Sequence, residues 1–123
     1  MSRFYKGLKH LFMFRRPAHV RILVRDWRGR PESISGDEEH LTAALDWLCR
    51  AQDVTGSGGV SAGYHLARGW KPAFPETTGY IIPTFLAAAD RFGGKDYRQR
   101  AVRMGDWEID IQLDSGAVRG ESD

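Results

Sequence analysis

Cysteine is almost absent: Cys49 stands alone in a chain of 123 residues. A single thiol excludes an internal disulfide framework and a cysteine-based zinc site, and it suits a reducing compartment such as the cytoplasm. Long apolar runs are lacking too, and none approaches the roughly 20 residues of a membrane-spanning helix. The four histidines, His10, His19, His40 and His65, never recur three or four residues apart. That spacing is what places two metal ligands on one helix face, so no local motif points to a metal or a cofactor. A phosphate loop is missing as well. Thr55-Gly56-Ser57-Gly58-Gly59 has no Gly-Lys-Ser/Thr after it and no strand before it, and it reads as a glycine helix terminator.

What is present fits a folded domain. Apolar residues at 41% and charged residues at 28% are a globular balance, in a length that suits one modest domain. The net charge of +2 conceals an asymmetry: residues 1–36 hold nine Lys/Arg against two acids, residues 37–123 nine against fourteen. The chain therefore divides into a basic arm and linker, 1–36, and an acidic body, 37–123.

Within the arm, Phe4, Leu8, Leu11 and Phe12 fall at helical spacing among Lys6, Lys9, Arg15 and Arg16. The expectation is a short basic amphipathic helix stopped by Pro17. Its apolar stretch is broken by Lys9 and His10 and no small-residue cleavage site follows, so it does not read as a secretory signal. Three readings stay open: a solvated extension or an arm packed on the acidic body, attachment to an anionic membrane surface through residues 3–16, and nucleic-acid binding, for which no recognition motif follows. Val20 to Val24 is too short to classify by period, and Trp27 to Gly36 reads as a linker.

In the body, Asp37 reads as an N-cap. Leu41, Ala44, Leu45 and Leu48 follow at i, i+3, i+4 and i+7, which predicts a helix ending near Gln52. A loop over 53–77 carries five glycines and the aromatics Tyr64, Trp70 and Phe74. Loops of that length are functional or disordered, and this aromatic content argues for function. Residues 78–92 are apolar nearly all round, which predicts a helix buried on every side, opened or kinked by Pro83. A last amphipathic helix is expected over 96–113. Tyr97, Ala101, Met104 and Ile111 would face inward, and Arg98, Arg100, Arg103 and Asp106 outward.

The two amphipathic helices share a signature. Trp47-x4-Gln52 recurs as Trp107-x4-Gln112, with a glycine turn and a small apolar pair after each glutamine. An amphipathic helix alternating with an apolar one describes an all-α array of αα-hairpins. These Gln-x(n)-Gly-x-Val ends resemble the Gln–Trp repeat of squalene-cyclase-like and prenyltransferase-like α/α toroids. The stretch Trp70 to Thr84, WKPAFPETTGYIIPT, is similar to segments of bacterial α/α-toroid proteins linked with polysaccharide biosynthesis. The resemblance covers about residues 38–120 and implies a partial α/α toroid. The aspartate-rich acid clusters of terpenoid cyclases are absent, which weighs against a terpenoid-cyclase-like enzyme. Six hairpins at a 60-residue period need roughly 360 residues, so the chain is expected to associate as a homo-oligomer or to require further C-terminal hairpins.

In a toroid the loops entering inner helices gather at one mouth, which implies a site around 60–80. Glu76, ahead of the apolar helix, is favoured there by free backbone N–H groups and the helix dipole. The functional reading makes Glu76 and Tyr80 catalytic, with Tyr64, Trp70, Thr77 and Thr78 holding a glycan. The plain reading makes Glu76 or Thr78 a helix cap and packs Trp70 beneath the loop. Glycosidases need two carboxylates across the bond, and Asp53 is the only other acid near a loop of this unit, so no pair is evident. The reaction stays open between glycan processing of a lyase, hydrolase or epimerase kind and a non-catalytic helical-repeat binding module. Trp47 and Trp107 read as hairpin packing, Gln52 and Gln112 as partners for helix-end backbone, and Cys49 as a buried small side chain.

Overall fold

A computed structural model describes residues 16–29, 36–93, 96–118 and 120 of the chain. The described residues are mostly helical, with four helices and one two-stranded sheet in chain order: α1 (Pro17–Trp27), α2 (Asp37–Asp53), β1 (Tyr64–His65), β2 (Gly69–Trp70), α3 (Pro75–Phe92) and α4 (Tyr97–Asp110).

Proline opens two of the helices. Pro17 and Pro75 each occupy the first turn after an extended residue, Arg16 or Phe74. Their missing N–H would be unsatisfied there in any case, and their fixed φ suits a helix start. Pro17 was expected to stop a helix over 3–16; it starts the next one instead, and Val20 to Val24 lies inside α1. The expected upstream helix lies outside the described residues except for Arg16. In the same way α3 begins at Pro75, three residues ahead of the expected start. Pro83 sits inside it on the exposed side.

α2 carries Asp37, Glu38 and Glu39 in its first turn, where carboxylates meet the positive end of the dipole. Its cap is Gly36 rather than Asp37, which is the first helical residue. The helix stops where Thr55 donates its hydroxyl to the carbonyls of Gln52 and Gly59, and where Gly56 (φ +65°) and Gly58 (φ +102°) turn left-handed.

The core lies where α3 and α4, the closest helix pair, meet. Ile81, Phe85 and Ala88 on one side and Tyr97, Ala101 and Met104 on the other each follow an i, i+4, i+7 rhythm, and all six are buried. The Phe85 and Tyr97 rings stand 5.5 Å apart. Leu45 and Ala51 of α2 and Val60 of the loop complete this cluster, with Leu41, Leu48 and Cys49 packed partly buried against it. A polar tie joins α2 to α4. Gln52 Nε2 donates to the carbonyls of Gly58 and Arg100 at 2.8 and 3.1 Å. Arg100 in turn donates to Gln52 Oε1 and, with both terminal nitrogens, to Asp53. Arg100, expected to face outward, is therefore mostly covered, its side chain 18% exposed.

The apolar helix is not dry on every side. Tyr80 is 74% exposed, and Pro83, Thr84 and Ala87 share its wet flank. Only the face built on Thr78, Ile81, Phe85 and Ala88 is buried, because within the described residues α2, α4 and the loop cover that face alone.

The helices bearing Trp47 and Trp107 begin 60 residues apart, at Asp37 and Tyr97, and each is followed by a left-handed glycine at the matching place, Gly56 (φ +65°) and Gly116 (φ +80°). Gln52 lies inside α2, whereas Gln112, expected within a helix over 96–113, lies past the end of α4 at Asp110. Their surroundings differ. Trp107 and Gln52 are buried, whereas Trp47 and Gln112 are exposed.

Candidate functional site

The long loop is ordered by its own hydrogen bonds. Ala62 and Lys71 donate to the carbonyls of Pro72 and Gly63, and Phe74 donates to that of Val60, so 60–74 doubles back as an irregular hairpin. At its tip Tyr64 pairs with Trp70 and His65 with Gly69 in antiparallel register. His65 Nδ1 accepts from the N–H groups of Ala67 and Arg68, closing the turn that Gly69 (φ +90°) completes. At the base, Ser61 donates to the carbonyls of Gly63 and Lys71.

That register puts Tyr64 and Trp70 on one face, ring centroids 5.1 Å apart and edge to face. Trp47 of α2 joins them, 4.6 Å from Trp70 and 6.2 Å from Tyr64. Trp47 remains 47% exposed, so the cluster is open on one side. The phenol of Tyr64 is held from α1 and the residue before it: Arg16 Nη1 donates to its oxygen at 2.6 Å, and His19 Nε2 lies 3.2 Å from it. With that oxygen accepting from Arg16, the Tyr64 hydroxyl can donate to His19 in the tautomer protonated at Nδ1. The His19 ring meets Tyr64 edge-on at 5.8 Å. Three aromatic faces with a guanidinium and an imidazole at the rim form an amphipathic surface suited to a flat ligand with C–H faces and hydroxyl edges.

Of the residues singled out from sequence, Tyr64 and Trp70 come together. Glu76 and Tyr80 lie one turn apart on α3, both exposed and, among the described residues, without hydrogen bond, ion pair or ring contact. Among the described residues no hydrogen bond or ring contact links either of them to the ring cluster. Thr77 is partly buried beside them. Thr78 is fully buried, accepts from the Val60 N–H at 2.8 Å and donates to the Phe74 carbonyl at 2.8 Å, so its hydroxyl fastens the loop to α3.

Trp47, Arg16 and His19 complete the cluster and were not identified as site residues from sequence. Trp47 lies 23 positions before Trp70 and its only sequence signal was the repeat, which argued for packing. No local pattern tied Arg16 or His19 to Tyr64, 48 and 45 residues away.

Among the described residues two ionisable groups are displaced from their ordinary values, both on α4. The hydrogen bond from Arg100 to Asp53 holds its guanidinium still more firmly protonated, against some desolvation. Burial pushes the Glu108 carboxyl up, and its Oε1 is buried with no partner among the described residues. No group of three His, Cys, Asp or Glu converges as a metal site among the described residues. An open depression of about 530 Å³ is lined by Asp96, Arg98, Gln99, Val102 and Arg103. Its arginines are already paired, Arg98 with Asp90 and Arg103 with Asp96.

The geometry defines a mostly helical protein with an aromatic platform on a long loop. Compared with known proteins, the chain matches no family model, no curated protein and no solved structure.

Proposed function

We propose that this chain is a helical-hairpin unit of the α/α-toroid kind that binds a glycan on the Trp47–Tyr64–Trp70 platform, in a polysaccharide-biosynthesis role. The observation that carries the reading is the open ring cluster. Stacking of sugar C–H faces on indole rings needs aromatic surface held in place in advance, and here β1–β2 pairing and Arg16 hold it. The hairpin-array reading is supported by the 60-residue correspondence of helix starts and left-handed glycines. In a toroid, neighbouring hairpins would cover the wet flank of α3; in the chain by itself that flank encloses no central hollow. Glu76 and Tyr80, unencumbered on that flank, are the pair available for glycan-processing chemistry in an assembled ring.

The test is a titration with oligosaccharides, uronic-acid-containing ones included, read by tryptophan fluorescence. The expected result is saturable quenching that Trp47→Ala and Trp70→Ala each remove. Glu76→Gln is expected to leave binding intact and to remove any turnover. No change across the panel, with specific retention of a protein partner instead, would replace this reading by a non-catalytic helical-repeat binding module.

A further inference from the structure

α1 carries an exposed apolar stripe that the body does not cover. Val20, Leu23, Val24 and Trp27 fall at i, i+3, i+4 and i+7 and all four are exposed, Leu23 at 46% and Trp27 at 87%. Beside them, Arg21, Arg25 and Arg28 form a row of their own at i, i+4 and i+7. The body is reached at the edge of the stripe, through His19, one turn before Leu23, and the preceding Arg16, which hold Tyr64. At 1.5 Å per residue the helix is about 16 Å long, far short of a span. Among the described residues no helix is long and apolar enough to cross a membrane.

We infer that α1 lies flat on an anionic lipid surface, with Val20, Leu23, Val24 and Trp27 in the acyl–headgroup boundary and Arg21, Arg25 and Arg28 on lipid phosphates. A planar anionic surface meets the stripe and the whole arginine row at once, which is how short basic amphipathic helices bind. Four apolar side chains alone hold a helix weakly, so the arginines are required and binding falls with salt. The acidic body, with fourteen acids against nine bases over 37–123, is repelled from the same surface and stands off it. The rival occupant is a second copy, whose α4 exposes Val102 and Ile109 beside Asp106 and Asp110. That face also carries Arg98 and Arg103, so it offers α1 a mixed field rather than a uniformly negative one.

The test is sedimentation of the full chain with vesicles of phosphatidylcholine alone or mixed with phosphatidylglycerol, at low and high salt. Binding only to the mixed vesicles, lost at high salt and accompanied by a blue shift that Trp27→Phe removes, is the expected result. Each of Arg21→Gln, Arg25→Gln and Arg28→Gln is expected to weaken binding about fivefold. Leu23→Asp, checked for unchanged helicity and Tm, is expected to abolish it. Equal binding to both vesicle types, or binding that survives Leu23→Asp and therefore runs through residues 1–15, overturns the inference. So does failure to bind either vesicle. A self-associated chain that Leu23→Asp or Ile109→Asp converts to monomer, with no lipid binding, assigns the stripe to a second copy. The readout does not depend on glycan binding, so either proposal can fail alone.

Discussion

The indole of Trp107 lies directly on the backbone of Gly59, so closely that a β-carbon there would come within 2.5 Å of Cε3. This contact seals the turn after α2 against α4, beside the point where Gln52 bridges to the Arg100 carbonyl. A flat ring on bare backbone is possible only at glycine.

Gly59→Ala is therefore expected to destabilise the fold by about 1–3 kcal/mol through overpacking against a ring that cannot bend away. Its left-handed neighbour Gly58 is also hemmed in, with the Arg103 carbonyl 3.0 Å from where a β-carbon would sit. The check is urea unfolding of Gly59→Ala, Trp107→Leu and the double variant. The two substitutions are expected to be non-additive, with the double variant more stable than the sum of the single losses predicts.

Thr78 joins the loop to the core through one hydroxyl that accepts from a buried N–H. Thr78→Val keeps the shape but leaves the Val60 N–H unsatisfied. The expected cost is about 1–3 kcal/mol, while Thr78→Ser keeps most of the stability. Amide exchange at Val60 reports the difference directly: faster in Thr78→Val, protected in Thr78→Ser.

Glu108 makes stability depend on pH in a definite direction. Its folded carboxyl titrates above its unfolded one because burial disfavours the charge, so the folded state holds the proton more tightly. Stability then declines as pH rises from the ordinary glutamate range through the raised folded value. Glu108→Gln is expected to raise Tm at neutral pH, with the gain vanishing in acid, where the wild-type carboxyl is already neutral. A Tm difference that stays constant with pH would contradict this account.

Trp47 and Trp70, 4.6 Å apart, are close enough to couple electronically. Trp47→Ala or Trp70→Ala is expected to remove the same exciton feature from the ultraviolet circular dichroism, while Trp27→Phe leaves it intact. Because Trp47 is half exposed, its loss is expected to cost stability less than that of Trp107, which is buried.

Much of the helical architecture was legible because amphipathic spacing is local: Leu45 in α2 and Tyr97, Ala101 and Met104 in α4 are buried where their rhythm places them. Gln52 also meets helix-end backbone as its position implied. The boundaries at Pro17 and Pro75 were less legible, since a proline both ends one helix and begins another, and only the preceding backbone decides which. The apolar composition of 78–92 states what the helix can bury; how much it does bury depends on which neighbours are present, and here the Tyr80 flank is wet.

The candidate site divides the same way. The glycine-rich, aromatic loop marked Tyr64 and Trp70, and their pairing needs only a short hairpin between them. Trp47 and His19 reach that hairpin from other helices and Arg16 from the cap of α1, across distances in sequence that no periodicity encodes. By itself the sequence determined the helical class, the buried stripes and the charge division between arm and body, because each follows from side-chain spacing or composition. Only the tertiary structure decided that a glycine turn would seat Trp107 and that three distant rings would share one surface, because such contacts depend on how the helices pack and not on the order of their residues.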